Sequence, residues 1–409
     1  MPLTARISFG LRLPLLLACV GGCGNEAPVD STDESESSGG RTFRTVLQDD
    51  ARSGADSSRV ESSEFTGRNF LNPLTFPHDK IERADQKDAT RALIDPRFVP
   101  AASAEARYLS DEDLVIGVRL NGVSKAYPHK MAWYHQIVND RIGGQPIAVT
   151  FSPLTGSGIV FAAWSGGAIN RLKFGASGEL FNNNLIMYDL NDDQIRYPQM
   201  THTGISGVRA GWVLNTPPFV ETTWRYWKQL HPDTFVISIN TPGAYDTSFY
   251  NIYPYGSYRD PESAPRFQVF PRLEENPLAG LFSPKELTFG VRFIEKAKAY
   301  PASALGDAAV INDVLSERNI VVVWFGAEQM AVAFSRKYGQ RTLVFDRVPS
   351  TSQTYPFMMR DRETRSTWDL KGRAISGPLK DSVLQQIPGH SAFWFAWITF
   401  WQETEVYLE

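Results

Sequence analysis

The chain has 409 residues, 42% of them hydrophobic and 12% aromatic, which suits two or three folded units rather than one. Its 41 basic and 45 acidic residues leave a net charge of −4 without any block of Lys or Arg, excluding the concentrated basic face that a nucleic-acid partner needs. The only cysteines are Cys19 and Cys23, so everything downstream lacks a disulfide, a thiolate metal site and a thiol nucleophile.

The N-terminus reads as an export signal. Arg6 and Arg12 form a basic n-region, and LPLLLACV is an apolar run too short to span a bilayer. Val20-Gly21-Gly22-Cys23 then has the small residues of a bacterial lipobox. Residues 1–23 are therefore expected to be a lipoprotein-type signal peptide with Cys23 lipidated. Cys19 is the alternative, but it would leave an apolar run of about six residues against the usual 7–15 or so. Residues 24–66 are rich in Ser, Asp, Glu and Gly and bury too little apolar surface to offset their ordering entropy. They are expected to form a disordered acidic tether. The expected location is the bacterial cell envelope, with lipid as the sole membrane anchor.

The remainder contains itself twice. DLVIGVRLNGVSKAYP, from Asp113, and ELTFGVRFIEKAKAYP, from Glu286, are identical at eight of sixteen positions without gaps. The register continues through Asn139-Asp140 with Asn312-Asp313, Asp189 with Asp361, Ile205-Ser206-Gly207 with Ile375-Ser376-Gly377, and Trp227 with Trp397. In each copy a strand pair comes first, turning in copy one at Asn121-Gly122. A short helix (HKMAWYHQIVND), a buried strand (IAVTF or IVVVWF) and further short strands follow. A late amphipathic helix (TTWRYWKQL or SAFWFAWITF) precedes a last strand. The predicted class is α+β, with two tandem homologous units of mainly antiparallel sheet, about two helices each, packed about a pseudo-twofold. The first unit with its N-terminal extension takes residues 67–240 and the second takes 280–409. Residues 241–279 are a Tyr/Pro-rich insert, expected to be an ordered surface loop packed by its own aromatics, with a lid as the functional alternative.

Fold-determining residues should recur in both copies, whereas site residues need not. Asn139-Asp140 recurs and is expected to cap or turn the chain after the helix. TFSPLTGSG, residues 150–158, does not recur: Ser152, Thr155 and Ser157 face Phe325, Glu328 and Met330. His135 faces Ala308, and Ser177 and Asn183 lie in stretches without a clear counterpart. These six residues are the candidate binding set. A hydroxyl with His135 as its base is the arrangement of an activated nucleophile. The stretch nevertheless lacks the G-x-S-x-G spacing of a nucleophile elbow and the Gly-Lys-Ser/Thr of a phosphate cradle. No metal is expected, because the six histidines, His129 included, form no ligand-spaced pair.

DPRFVPAASA, YLSDEDLVIGVRLNGVSKAYP, WYHQIVNDRIGGQPIAVTF, FGASGELFNNNLIMYD, HPDTFVI and PYGSY together resemble the uncharacterised family called Domain of Unknown Function 3179, across residues 95–409. The resemblance implies no established activity. It does imply a Cys-Pro-Leu-Cys-Gly type loop, in some members with selenocysteine at the second position, where this chain has Ser152-Pro153-Leu154-Thr155-Gly156. Paired chalcogens there would form a redox site. Two hydroxyls cannot form a disulfide, so this chain is expected not to be redox-active. Gln136 stands where the resemblance implies Glu.

The expectation is an exported protein whose first unit binds a small or extended ligand in a polar pocket around the loop, with no cofactor assigned. One alternative is a hydrolase or a cofactor-dependent oxidoreductase, with His135, a hydroxyl and an acid converging on a cleft. The other is a structural or partner-binding envelope protein presenting Tyr253, Tyr255 and Tyr258 as an exposed patch.

Overall fold

The hairpin Leu114–Leu120/Val123–Pro128 turns at Asn121 (φ +48°) and Gly122 (φ +81°), the pair of left-handed residues that a tight primed turn requires. It belongs to the computed structural model, which describes residues 70–408 except 165–170, 294–295 and 353. The expectations for the signal peptide, Cys19, Cys23 and the tether lie outside the described residues.

Around this hairpin the sheet order is Phe219–Thr223, Leu114–Leu120, Val123–Pro128, Phe235–Ile237, Phe98–Pro100. A second sheet repeats the first four places with Gly389–Phe393, Leu287–Arg292, Ala297–Pro301 and Glu405–Val406. In each, only the pairing of the third and fourth strands is parallel. Four-stranded sheets follow in both halves, one around Gln145–Ser152 and one around Arg318–Phe325. Each half also holds a third four-stranded sheet, around Asn184–Asp189 and Phe357–Asp361 respectively. Five α-helices occur among the described residues, none longer than seven residues: α1 His129–His135, α2 Trp224–Leu230, α3 Thr247–Tyr250, α4 Ala302–Leu305 and α5 Trp394–Phe400. The fold is thus mainly sheet with few helices, of the α+β class.

The recurring residues have matching contacts. A Cβ on Gly117 would overlap the Trp227 ring, and one on Gly290 would overlap the Trp397 ring. Each indole N–H donates to a threonine beyond its helix, Trp227 to Thr234 (2.8 Å) and Trp397 to Thr404 (3.0 Å). The lysine and tyrosine of the SKAYP and AKAYP strands reach one carboxylate: Lys125 and Tyr127 on Asp140 (both 2.7 Å), Lys298 and Tyr300 on Asp313 (2.8 and 2.9 Å).

Two expectations need correction. Asn139-Asp140 lies inside the strand Ile137–Ile142, not at a turn. Asn139 exchanges two hydrogen bonds with the Phe174 backbone (2.9 and 2.7 Å), and Asn312 does so with Phe345 (both 2.8 Å), so each ties one sheet to the next. The predicted helix over HKMAWYHQIVND ends at His135. Gln136 turns left-handed (φ +56°) and its carbonyl accepts from Phe151 N–H (2.7 Å), drawing the β-branched Ile137-Val138 into a sheet.

The late helices link the halves. Tyr226 and Leu230 of α2 share a core with Val321, Met330, Phe345 and Trp368 of the second half. All seven residues of α5 are buried, in a core with Phe161, Phe174 and Phe181 of the first half.

Gly117→Ala is expected to lower unfolding stability by about 2–3 kcal/mol through overpacking against Trp227. Gly280→Ala, with open space around its Cβ, should stay within about 0.5 kcal/mol of the parent. Equal urea midpoints for the two variants would overturn the packing argument.

Candidate functional site

The strands Gln145–Ser152 and Ser157–Ala162 are joined by Pro153-Leu154-Thr155-Gly156, with Ser152 paired to Ser157. The loop hydroxyls point inward: Ser152, Thr155 and Ser157 are 2%, 0% and 0% exposed. Ser152 Oγ accepts from Leu185 N–H (3.2 Å). Thr155 Oγ1 meets Ser157 Oγ (2.8 Å) and accepts from Asn184 Nδ2 (3.0 Å). Ser157 Oγ donates to Gln199 Oε1 (2.8 Å), and Gln199 Nε2 donates to Thr150 Oγ1 (2.9 Å). This network satisfies the hydroxyls internally, so they brace two sheets rather than line a pocket.

The remaining candidates lie elsewhere. His135 Nδ1 donates to the Arg91 carbonyl (2.8 Å), which leaves Nε2 to accept from the Tyr250 hydroxyl (2.7 Å). The ring stacks on Tyr245, and desolvation lowers its pKa, so it is a neutral fastener for the insert. Ser177 Oγ donates to the Ile186 carbonyl (2.6 Å). Asn183 exchanges hydrogen bonds with the Phe267 backbone (both 2.8 Å), again holding the insert. The structure therefore brings Ser152, Thr155 and Ser157 into one wall and gives His135, Ser177 and Asn183 other partners. Tyr253, Tyr255 and Tyr258 are half-buried. Tyr253 packs on Trp133 (5.1 Å), and the Tyr258 hydroxyl donates to the Leu154 carbonyl (2.8 Å).

The loop instead borders two clefts. Leu154 lines one of about 250 Å³, together with Asp85, Gln136, Glu179, Tyr255 and Arg266. Pro153 and Gly156 line another of about 190 Å³, whose polar floor is His129 and Glu221. His129, the first residue of α1, follows Pro128, and its ring lies 4.4 Å from that of Phe151. Glu221 sits in the edge strand Phe219–Thr223 opposite Ile116. Its Oε2 is 3.3 Å from His129 Nε2, yet neither that nitrogen nor Glu221 Oε1 has a hydrogen-bond partner. Gly158 makes room for the carboxyl, since a Cβ there would lie 2.7 Å from Oε1. Gly156, at φ +61°, leaves space for the Phe393 ring of the second half. Trp133, Tyr253 and Phe393 supply apolar walls, and the Arg259 guanidinium lies over Trp133 (4.3 Å) and Tyr253 (3.5 Å).

An imidazole, a carboxyl and flat aromatic walls can hold a small ligand that offers a hydrogen-bond donor and an apolar face. Sequence reasoning passed over this pair because His129 has no ligand-like spacing. The sequence held a usable signal: at the repeat spacing His129 falls on Ala302 and Glu221 on Ser391, so neither the imidazole nor the carboxyl recurs. No group of three or more metal-ligating side chains occurs among the described residues.

Compared with protein-family models, residues 87–404 match the family described as Protein of unknown function (DUF3179). Searches of the curated proteins and of the solved structures gave no match.

Thr155→Val keeps the loop's shape but leaves Asn184 and Ser157 short of a partner. It is expected to cost about 1–3 kcal/mol in chemical denaturation, and a neutral result would contradict the bracing role. The pH dependence has a definite sign. His231 is pulled down from 6.5 to about 4, chiefly by desolvation, and His135 is lowered for the same reason. The folded chain thus holds fewer protons than the unfolded one in this range. Stability should be full above about pH 6.5 and fall as pH drops toward about 4. Melting curves at pH 7, 6 and 5 check this, and an unchanged midpoint would contradict it.

Proposed function

The chain belongs to the DUF3179 family, and we propose that it is an exported, lipid-anchored protein that binds a small ligand in the His129–Glu221 cleft without redox turnover. One observation carries the reading: two polar atoms, His129 Nε2 and Glu221 Oε1, are buried at this cleft without a hydrogen-bond partner among the described residues, although Nε2 lies 3.3 Å from Glu221 Oε2. Unpaired buried polar groups cost about 1–3 kcal/mol each, a cost that a ligand group could recover. The matching ligand is a small planar amine or amide. It donates to Glu221 and lays its face on Phe151, Trp133 or Tyr253.

The lack of redox turnover rests on Ser152 and Thr155 occupying the positions of the implied chalcogens, and on Cys19 and Cys23 being the only cysteines. Export and anchoring rest on the basic and apolar N-terminus ending at Cys23. No helix among the described residues is long and apolar enough to cross a membrane.

We further propose that the halves are duplicate units about a pseudo-twofold passing near this cleft. Pairs at equivalent places line it: Leu114 and Leu287, Gly156 and Gln329, Glu221 and Ser391. The duplication would have left the charged members in the first half only.

The full chain should gain thermal stability from members of a panel of planar amines and amides, with Trp133 fluorescence changing on binding. Glu221→Gln should weaken those hits at least about tenfold. Hits of equal strength in Glu221→Gln and in His129→Asn would sink the reading. A second reading, a hydrolase, is favoured by Ser391, which puts a hydroxyl on the same cleft as His129 and Glu221. Labelling of Ser391 by a fluorophosphonate probe, lost in His129→Asn, is its expected signature. Absence of labelling on Ser391 would remove it.

A further inference from the structure

A separate cluster occupies the opposite face of the strand that carries Ser391. Arg292 ends the strand Leu287–Arg292 and is half-buried, and desolvation pulls its guanidinium down to about 10. A desolvated cation is ordinarily met by a carboxylate, because leaving it uncompensated is costly. Arg292 has no such partner among the described residues. Among the described residues its one hydrogen bond is a long one, 3.4 Å, to the Thr201 carbonyl, and its head lies 4.6 Å from the centre of the Trp401 ring.

The side chains around it carry buried nitrogens without hydrogen-bond partners among the described residues. His202 and His390 are buried with ring centres 6.2 Å apart, and Nε2 of each is without a partner. Trp401 Nε1, which can only donate, is buried without a partner as well. His202 is also held at φ +62°, a left-handed conformation that a bulky residue adopts at a cost. Among the described residues, the charged or titratable groups that perturb the two histidines are Arg292 and, for His202, His390 itself, with no acid among them.

We propose that a small anion, a halide or a compact oxyanion of the bicarbonate or formate class, binds among Arg292, Trp401, His202 and His390. An anion compensates the guanidinium and accepts from it, from the indole N–H, and from each imidazole in its Nε2–H tautomer. A metal ion would be repelled by Arg292 and would find no lone pair on the indole N–H. A water molecule could bridge two donors but would leave the cation uncompensated. His202 comes from the first half and the other three residues from the second, so the anion joins the halves. No residue is shared with the His129–Glu221 cleft, and the site stands whether or not that cleft binds a ligand.

Thermal unfolding of the full chain tests it, in sodium chloride, bicarbonate or formate against sodium gluconate at equal ionic strength. Gluconate is a far bulkier anion than chloride, bicarbonate or formate. The midpoint should rise by about 3–5 °C in at least one small anion. A rise in all of them assigns a halide-sized site, and a rise in bicarbonate and formate alone assigns an oxyanion. Trp401→Phe keeps the ring and removes the N–H, so it should lose at least half of the rise. Arg292→Gln should lose all of it; should that variant fail to fold, Trp401→Phe decides. Coincident curves in every salt, or an undiminished rise in Trp401→Phe, would overturn the proposal.

Discussion

Two indole rings lying flat on bare backbone hold this molecule together. Trp227 rests where Gly117 has no side chain, and Trp397 rests where Gly290 has none. Each ring buries a large apolar surface and still satisfies its N–H on a threonine. With one face of each helix seated this way on its own half, other residues are directed at the opposite half. Tyr226 of α2 meets Phe325 at 5.4 Å, and Phe400 of α5 meets Phe181 at 5.7 Å. Separating the halves would expose these aromatic surfaces, so the seam between them is as well packed as a core.

That seam is where the chemistry collects. The strand leading into α2 carries Glu221, and the strand leading into α5 carries His390 and Ser391. Successive residues of a strand point to opposite faces, which separates Ser391 at the cleft from His390 in the donor cluster. The 150–158 loop is fastened to the same seam, since the Thr155 carbonyl accepts from Phe393 N–H (2.8 Å). Its hydroxyls are consumed by Gln199, Asn184 and Leu185, while Pro153, Leu154 and Gly156 shape the adjoining clefts. The loop therefore acts as a wall. The free polar groups are supplied by α1 and the edge strand Phe219–Thr223.

Much of the fold was legible because its signals are local or repeated. Asn121-Gly122 announced a hairpin, and Asn182-Asn183 occupy another with φ of +51° and +65°. Gly117, Lys125, Tyr127, Asn139, Asp140 and Trp227 marked scaffold, and each makes the same contact as its repeated counterpart. Asn139 and Asp140 were legible as structural but not as strand residues, because their partners, Phe174 and Lys125 with Tyr127, are remote or on another strand. The site was less legible. A hydroxyl confined to one copy reads alike whether it faces a ligand or a buried glutamine. Only burial and partners separate the two.

By itself, the sequence determined the α+β class, the doubled pattern, the hairpin turns and the lack of thiol chemistry beyond Cys23. These follow from side-chain periodicity, turn geometry and the presence or absence of sulfur, which need no distant partner. Tertiary structure alone decided that His129 meets Glu221 across 92 residues, that His135 is spent on Tyr250, and that Arg292 stands beside His202 with no acid paired to it among the described residues. Those outcomes depend on how strands far apart in the chain register against each other.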